Sequence, residues 1–326
     1  MYRLFDAHSD LFEDVDEKRA RGLDGIIRSF HAERWRTGGC AGGFCPIWVD
    51  PFCEVYTMPV EEQARRIIGH MNDEFAECGD YAVQVTDAAS YEAAVREGKH
   101  AIFTGCEGLS FAGGDSGAVE ALYGSGMREF SLTWNETNEF AGGAGGDPGA
   151  GLTTAGRECV RRIESLGAML DLAHASRQTF YDAAGMLQTP FMVSHGNTFH
   201  YCSHPRNLTD DQLKVIAEFN GVFGISAYAP FLSENPAEWT VARLCDHIEY
   251  AADLMGIDCV GLGFDLVDFL DDFGVDESIS TVVSGLESVA ASQNIAVCLE
   301  QRGWKPEDIQ KVFSGNYLRL IREVLG

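Results

Sequence analysis

The sequence predicts a (β/α)8 barrel of the TIM type, which is an α/β fold. Eight short apolar runs alternate along the chain with segments of helical periodicity, as in parallel sheets whose strands are joined by helices. No glycine-rich dinucleotide fingerprint follows the first run, which disfavours the main rival, a doubly wound open sheet. A length of 326 residues fits one barrel, so we expect a single domain over residues 1–326.

The candidate strands are short, as buried parallel strands are. They lie at residues 2–7, 42–49, 100–106, 128–133, 168–173, 190–194, 221–227 and 258–263. The glycine-rich stretch 139–151 lacks the Lys-Ser/Thr ending of a phosphate loop. We therefore expect a flexible loop after the fourth strand.

Candidate helices fill the intervals between the strands. Residues 61–78 and 240–256 place apolar side chains on one stripe of a helix. Residues 154–165 and 280–300 are further candidates. The segment Thr209-Asp210-Asp211-Gln212 has the form of a capping box that opens another helix.

The composition excludes several classes of partner. Fifty Asp and Glu residues against 24 Lys and Arg give a formal net charge of −26, which repels nucleic acids and anionic membranes. No apolar run is long enough to span a membrane. Ten cysteines occur without a C-x-x-C pair, and the N-terminus lacks a signal-peptide pattern. We therefore expect a reduced, cytoplasmic protein without a structural zinc knuckle.

Metal-binding and proton-transferring side chains follow five of the candidate strands. These residues are His8, Asp10, Glu107, His174, His195 and Asp265. His8 and Asp10 are two residues apart in an extended segment, so they point the same way. Taken singly, each of the six also fits a capping residue or a satisfied side chain at the rim. In a barrel all of them would face one mouth, where active sites lie.

Three imidazoles and three carboxylates form a donor set that suits zinc, and less specifically manganese or iron. Five of these residues, with one shared carboxylate, are enough for two ions. A hydroxide shared by two dications forms near neutral pH, and the same ions polarise a carbonyl. Asp265 is placed to accept a proton and return it to the leaving group. The pattern supports hydrolysis of an amide, an ester or a phosphoester, and it does not choose among them.

A series of motifs in the same order and spacing resembles the membrane (renal) dipeptidase family, which belongs to the amidohydrolase-like metal-dependent barrels. The resemblance runs from residue 1 to about residue 321. The motifs are Asp6-Ala7-His8-Ser9-Asp10, Glu107-Gly108, Asp171-Leu172-Ala173-His174-Ala175-Ser176, Ser194-His195, Pro205-Arg206-Asn207-Leu208 and Ser314-Gly315-Asn316.

The resemblance implies a binuclear zinc dipeptidase. His8 and Asp10 would bind one zinc ion, His174 and His195 would bind the other, and Glu107 would bridge the two. The expected substrates are small dipeptides, including ones with a D-residue at the C-terminal position.

Two further residues match the family by position. Arg206 matches the arginine that receives the terminal carboxylate of the substrate, a task that suits the two parallel hydrogen bonds of a guanidinium. Asp265 matches the aspartate after the eighth strand. The resemblance also suggests a homodimer.

The sequence departs from the renal-type members at two places. Trp134 stands where those members carry a histidine over the scissile carbonyl. An indole cannot supply the charge of that imidazole, so oxyanion stabilisation would rest on zinc with help from Asn135. We expect Trp134 and Asn135 to contact the substrate. The second departure is the segment 263–268, where the family usually reads D-F-D-G; this chain retains Asp265, but the turn that follows it is altered.

Two alternatives stay open. A related barrel amidohydrolase would act on N-acyl amino acids, lactones or phosphoesters. Many such enzymes bridge their metals with a carbamylated lysine, which is disfavoured because none of the five lysines follows a candidate strand. The other alternative is a catalytically inactive binding protein on the same scaffold. A serine hydrolase is disfavoured because no G-x-S-x-G elbow occurs.

Overall fold

The computed structural model of the protein describes residues 1–270 and 281–326. Within these ranges, nine strands form one parallel sheet. They are β1 (Leu4–Asp6), β2 (Cys40–Trp48), β3 (Ala82–Gln84), β4 (His100–Glu107), β5 (Glu129–Ser131), β6 (Met169–Asp171), β7 (Met192–Gly196), β8 (Val222–Ile225) and β9 (Val260–Leu262). All eight predicted strands are confirmed. The strand that the sequence analysis missed, β3, pairs only with β4.

The remaining eight strands follow the order β1-β2-β4-β5-β6-β7-β8-β9 and curl into a nearly closed barrel. At the seam between the last and the first strand, the Ala7 N–H donates to the Leu262 carbonyl at 3.0 Å. The Asp6 carboxylate accepts the Phe264 N–H at 2.8 Å and the His8 N–H at 3.3 Å. Asp6 thus links the carboxyl ends of β1 and β9 through hydrogen bonds. The predicted TIM-type barrel is confirmed.

Helices cover the outside of the barrel. They are α1 (Leu11–Ala20), α2 (Ala32–Gly38), α3 (Val60–Glu77), α4 (Ala88–Arg96), α5 (Ala118–Gly124), α6 (Thr154–Ser165), α7 (Arg177–Ala184), α8 (Asp210–Glu218), α9 (Val241–Met255), α10 (Gln293–Gln301), α11 (Pro306–Gln310) and α12 (Asn316–Val324). The predicted helices at 61–78, 154–165 and 240–256 correspond to α3, α6 and α9. At the start of α8, Gln212 Oε1 accepts the Thr209 N–H at 3.2 Å, so the capping box is also confirmed.

The predicted helix at 280–300 is wrong in its first half. Residue 280 lies outside the described residues, and α10 begins only at Gln293. Gly285 has a left-handed φ of 87° and Ser288 is extended with a φ of −161°. Both conformations are incompatible with a continuous helix, and they allow Val283 and Leu286 to pack into the core.

The amino-terminal end of the barrel is filled by side chains from strands all round it. Phe5 packs against Phe44 and against Tyr317 of α12, with ring centroids 5.4 Å apart in each pair. The Tyr317 ring lies so close to β9 that a Cβ at Gly261 would be 2.3 Å from its Cε2. In the described residues, these side chains close the amino-terminal end of the barrel.

The glycine-rich stretch 139–151 connects β5 to α6 and contains neither a helix nor a named strand, as predicted. In the described residues, no helix combines the length and the apolar character that crossing a membrane requires.

Candidate metal centre

A cavity of about 940 Å³ opens at the carboxyl ends of the barrel strands. Each of the eight barrel strands contributes to its wall a residue that ends the strand or follows it. Among the predicted site residues, Asp10, Glu107, His174, Arg206 and Asp265 line it. His8 and His195 lie just beneath, with 2% and 1% of their surface exposed. The predicted residues therefore meet at one end of the fold.

The proposed metal ligands converge on one oxygen of Glu107. Its Oε1 lies 2.8 Å from Nε2 of His174, 3.6 Å from Nε2 of His195 and 3.7 Å from Nε2 of His8. Asp10 joins through its Oδ1, which is 3.5 Å from Nε2 of His8. Five side chains that are far apart in the sequence thus present their donor atoms to a common space.

Asp265 lies within reach of the same space. One donor atom each from His8, Asp10 and Asp265 lie within 4.8 Å of one another. The same limit holds for a second group, formed by His8, Glu107 and His195. The two groups share His8, and either one could hold a metal ion.

Hydrogen bonds on the far side of two imidazoles set their tautomers. His174 Nδ1 donates to Asn135 Oδ1 at 2.9 Å, and His195 Nδ1 donates to Ser194 Oγ at 2.9 Å. Ser194 Oγ in turn donates to Asp171. With Nδ1 protonated, each Nε2 presents its lone pair to the shared space, as a metal ligand must.

The two Nε2 atoms of His174 and His195 face each other at 2.9 Å. With both Nδ1 positions protonated, neither Nε2 carries a proton for the other to accept. A cation between these nitrogens would satisfy both lone pairs. Nitrogen and carboxylate donors in this combination are what zinc prefers, so the residues present fit the predicted metal.

The electrostatics of the centre also favour added positive charge. Burial raises the pKa of Glu107 to about 8 and that of Asp265, which is half-exposed to the cavity, to about 7. Burial alone would lower the pKa of His8, but the nearby carboxylates, Glu107 first, raise it well above its ordinary value. Burial lowers the pKa of His174 and of His195 well below the ordinary value. Both rings are therefore neutral, and each can donate its Nε2 lone pair to a metal ion.

Two of the site residues have strained backbones. His174 has a φ of 61° and Asp265 a φ of 58°, in the left-handed region that non-glycine residues rarely adopt. Such conformations cost on the order of 1–3 kcal/mol each and persist where the surrounding structure imposes them. The strain here aims two side chains, one after β6 and one after β9, into the cavity.

Arg206 is a buried cation beside the ligand cluster. Its side chain is 6% exposed, its Nη2 lies 2.8 Å from His195 Nε2, and its Nε has no hydrogen-bond partner. Burial lowers its pKa to about 10, so it stays charged at neutral pH. No carboxylate in the described ranges forms an ion pair with it. The guanidinium therefore has capacity for an anion from outside the chain.

Trp134 and Asn135, the two residues expected to contact the substrate, both line the cavity. The Trp134 ring centroid is 5.9 Å from that of His174 and 5.2 Å from that of Trp48. The side-chain oxygen Oδ1 of Asn135 accepts a hydrogen bond from His174 Nδ1. This role was not predicted from the sequence. Neither Trp48 nor the Asp171–Ser194 pair behind His195 was predicted as part of the site, although the Asp-x-x-His and Ser-His motifs contain Asp171 and Ser194.

The comparison with protein families gives a match over nearly the whole chain. The model of the membrane dipeptidases, peptidase family M19, matches residues 2–325. The chain belongs to this family. The resemblance deduced from the motifs is thereby confirmed, and membership makes the protein a metallopeptidase of the dipeptidase class, hence a hydrolase.

Solved structures agree on the fold. A metallopeptidase from Rhodobacter sphaeroides, solved with a phosphinate mimic of the dipeptide L-Ala-D-Ala, superposes with a TM-score of 0.87 and 23% identity over 99% of both chains. The dipeptidase AC superposes with a TM-score of 0.86 and 25% identity over 100% of this chain and 99% of its own.

Two of the curated relatives are fungal dipeptidases. Dipeptidase aclJ of Aspergillus oryzae is 29% identical over 332 residues, which cover 99% of this chain and 73% of the relative. Dipeptidase tcpJ of Claviceps purpurea is 29% identical over 231 residues, 70% of this chain. That match spans about half, 52%, of the Claviceps protein.

Proposed function

We propose that the protein is a binuclear zinc dipeptidase that hydrolyses the amide bond of small dipeptides. The observation that carries this proposal is the position of Arg206, a buried guanidinium without an acidic partner in the described ranges, 2.8 Å from a proposed metal ligand. A charged donor fork next to a metal centre binds a carboxylate through two parallel hydrogen bonds.

The closeness of Arg206 to the cluster determines which amide bond of a substrate reaches the cluster. Consecutive Cα atoms are about 3.8 Å apart, so only one residue fits between a carbonyl at the cluster and a carboxylate on Arg206. A dipeptide meets this condition at its single amide bond. A longer peptide would place its terminal carboxylate on Arg206 only by presenting its last amide bond to the cluster.

The proposed donor set would hold two zinc ions, His8 and Asp10 on one, His174 and His195 on the other, and Glu107 between them. The bound ions would supply Lewis acidity at the scissile carbonyl and lower the pKa of the attacking water. This chain's own residues supply the binding and the proton transfer described below.

Asp265 is the proposed proton carrier. Its carboxyl group lies beside His8 and Asp10 and has a pKa of about 7, raised by burial. A carboxylate with such a pKa accepts a proton from water and returns it to the departing amine near neutral pH. Trp134 and Asn135 are proposed to contact the substrate, with the Asn135 amide nitrogen as a donor to the carbonyl oxygen.

The proposal extends to the stereochemistry of the substrate, the cellular compartment, the domain organisation and the oligomeric state. A D-residue at the C-terminal position is supported by the ligand of the Rhodobacter structure, a mimic of L-Ala-D-Ala. Ten free cysteines, eight of them buried, support a reducing, cytoplasmic environment. We further propose one domain over residues 1–326 and a homodimer, which sedimentation of the purified protein would test.

A substrate screen tests the proposed activity. The zinc-loaded protein is incubated with L-L dipeptides, L-D dipeptides and N-acyl amino acids that share one C-terminal residue. Dipeptides are expected to be the best substrates. Faster hydrolysis of the N-acyl amino acids would favour the related amidohydrolase, because Arg206 would bind their carboxylate equally well. Binding without hydrolysis of any class would favour an inactive binding protein.

A further inference from the structure

Three aromatic side chains form a wall at one side of the cavity: Trp48 and Trp134 line the cavity, and Phe52 packs against Trp134 at its edge. Trp48 ends β2, Phe52 lies in the loop that follows, and Trp134 follows β5. The ring centroids of Trp48 and Trp134 are 5.2 Å apart, and those of Phe52 and Trp134 are 6.3 Å apart, with interplanar angles of 58° and 62°. We call Trp48, Phe52 and Trp134 the aromatic wall.

The aromatic wall and Arg206 lie on opposite sides of the metal-ligand cluster. The wall comes from β2 and β5, which flank β4 in the barrel, whereas Arg206 follows β7. The Trp134 ring is 5.9 Å from the ring of His174, while Arg206 Nη2 is 2.8 Å from His195 Nε2. A ligand that spans the cluster from Arg206 must therefore run toward the wall.

We propose that the aromatic wall binds the side chain of the substrate's N-terminal residue, and that the protein prefers dipeptides whose first residue is large and apolar, above all aromatic. This inference rests on the proposed function. With the carboxylate on Arg206 and the scissile carbonyl at the cluster, the second residue lies between them. The first residue is then on the far side of the cluster, where the wall stands.

The wall offers apolar surface that a ligand would remove from water. Phe52 is 57% exposed and Trp134 is half-buried at the cavity surface. Covering such surface favours binding in proportion to the area. The tilted arrangement also leaves ring faces and edges for a further aromatic ring, which prefers edge-to-face or offset contacts.

The size of the cavity agrees with a bulky first residue, and its charge disfavours an acidic one. A cavity of about 940 Å³ is near the upper end of the range for drug-sized ligands, and a dipeptide of two small residues would leave much of it unfilled. Trp48 is paired with Glu107 in the β2–β4 ladder. An acidic first side chain would therefore meet the carboxylates of the cluster.

The test compares dipeptides that differ only in the first residue. For the zinc-loaded protein, kcat/KM for Phe-Ala should exceed that for Ala-Ala by about 10- to 100-fold, the gain expected from burying an aromatic side chain. Phe52→Ala should reduce this preference several-fold, and Trp134→Leu should reduce it further. Phe52 is exposed in a loop, so its variant is expected to fold even where Trp134→Leu disturbs His174.

A matched variant on the other side of the cluster serves as the control. Phe231 follows β8, and its ring centroid is 5.6 Å from Cζ of Arg206. Phe231→Leu should change kcat/KM for Phe-Ala and Ala-Ala by the same factor. A loss of the preference for Phe-Ala in this variant would contradict the assignment of the wall.

Calorimetric titration provides a readout that does not depend on turnover. Non-hydrolysable reduced-amide analogues of Phe-Ala and Ala-Ala are titrated into wild-type protein and Phe52→Ala. Tighter binding of the Phe analogue, lost in the variant, supports the inference. Equal binding of the two analogues, or a higher kcat/KM for Lys-Ala than for Phe-Ala, overturns it. If the wild-type protein hydrolyses Ala-Ala as well as Phe-Ala, only the inference fails. If it hydrolyses no dipeptide, the proposed function fails.

Discussion

At the scale of single residues, the proposed metal centre depends on polar partners that hydrogen-bond two of its histidines. Asn135 fixes His174 and Ser194 fixes His195, in both cases at Nδ1. The donors themselves could be found in the sequence because they follow apolar strands directly. Their partners could not be assigned, since Asn135 and His174 are 39 residues apart and meet only in the folded barrel.

The role of Asn135 can be separated from substrate binding by two substitutions. Asn135→Ala removes the acceptor for His174 Nδ1–H, and loss of such a partner typically weakens metal binding by about 10- to 100-fold. Asn135→Asp keeps an oxygen at this position and should retain zinc affinity. Competition with a chelator measures both. Equal zinc affinity of Asn135→Ala and the wild-type protein would show that the hydrogen bond does not position His174.

Arg206 yields a prediction about the substrate's carboxylate. Arg206→Ala should raise KM for free dipeptides strongly, because a buried charge pair is lost, at a cost of roughly 2–5 kcal/mol. Carboxyl-amidated dipeptides lack the group that Arg206 binds, and steady-state kinetics should show them nearly unaffected. Similar losses on free and amidated dipeptides would remove the proposed role in carboxylate binding.

At the scale of elements, the strands were predictable and the closure of the barrel end was not. Each predicted strand is a short apolar run, and the sheet order follows from the rule that parallel strands are joined by helices. The missed strand, β3, has only three residues and is half-buried in two of them, so its pattern is too short to detect. The insertion of Tyr317 from α12 beneath the barrel is a tertiary contact without a local signal.

This contact predicts a specific effect of an added methyl group. Gly261→Ala would place a Cβ 2.3 Å from Tyr317 Cε2, and such overpacking of a core costs about 1–3 kcal/mol. Denaturant unfolding should show this loss. The control is Gly69→Ala in α3, where nothing lies within 4 Å of the added Cβ and alanine favours the helix. If Gly261→Ala unfolds at the wild-type denaturant concentration, Tyr317 does not pack as described.

At the scale of the whole molecule, buried neutral histidines make stability depend on pH. His100 stacks on Trp35 with ring centroids 3.7 Å apart and donates from Nδ1 to the Cys40 carbonyl at 3.2 Å. Burial lowers its pKa to about 3, below the ordinary 6.5. As the pH falls below about 6.5, the unfolded chain gains a proton that the folded protein does not accept. The stabilisation present above pH 6.5 is therefore lost toward pH 3.

Unfolding measured between pH 7 and pH 4.5 checks this expectation. A single histidine of this kind contributes a slope of about 1.4 kcal/mol per pH unit within the window. His100→Asn should flatten the pH dependence by that amount, relative to wild-type protein in the same metal state. His200→Asn, which changes an exposed side chain, is the matched control for the substitution itself. A wild-type slope in His100→Asn would mean that His100 is protonated in the folded protein.

The central claim is that His8, Asp10, Glu107, His174 and His195 together bind a pair of zinc ions. The sequence was sufficient to nominate these residues, and the folded barrel brings their donor atoms to one space around Glu107 Oε1. Elemental analysis of the zinc-loaded, extensively dialysed protein tests the claim most directly. It should give about two zinc ions per chain, and Glu107→Gln should lower that number. One ion or none in the wild-type protein would contradict the account.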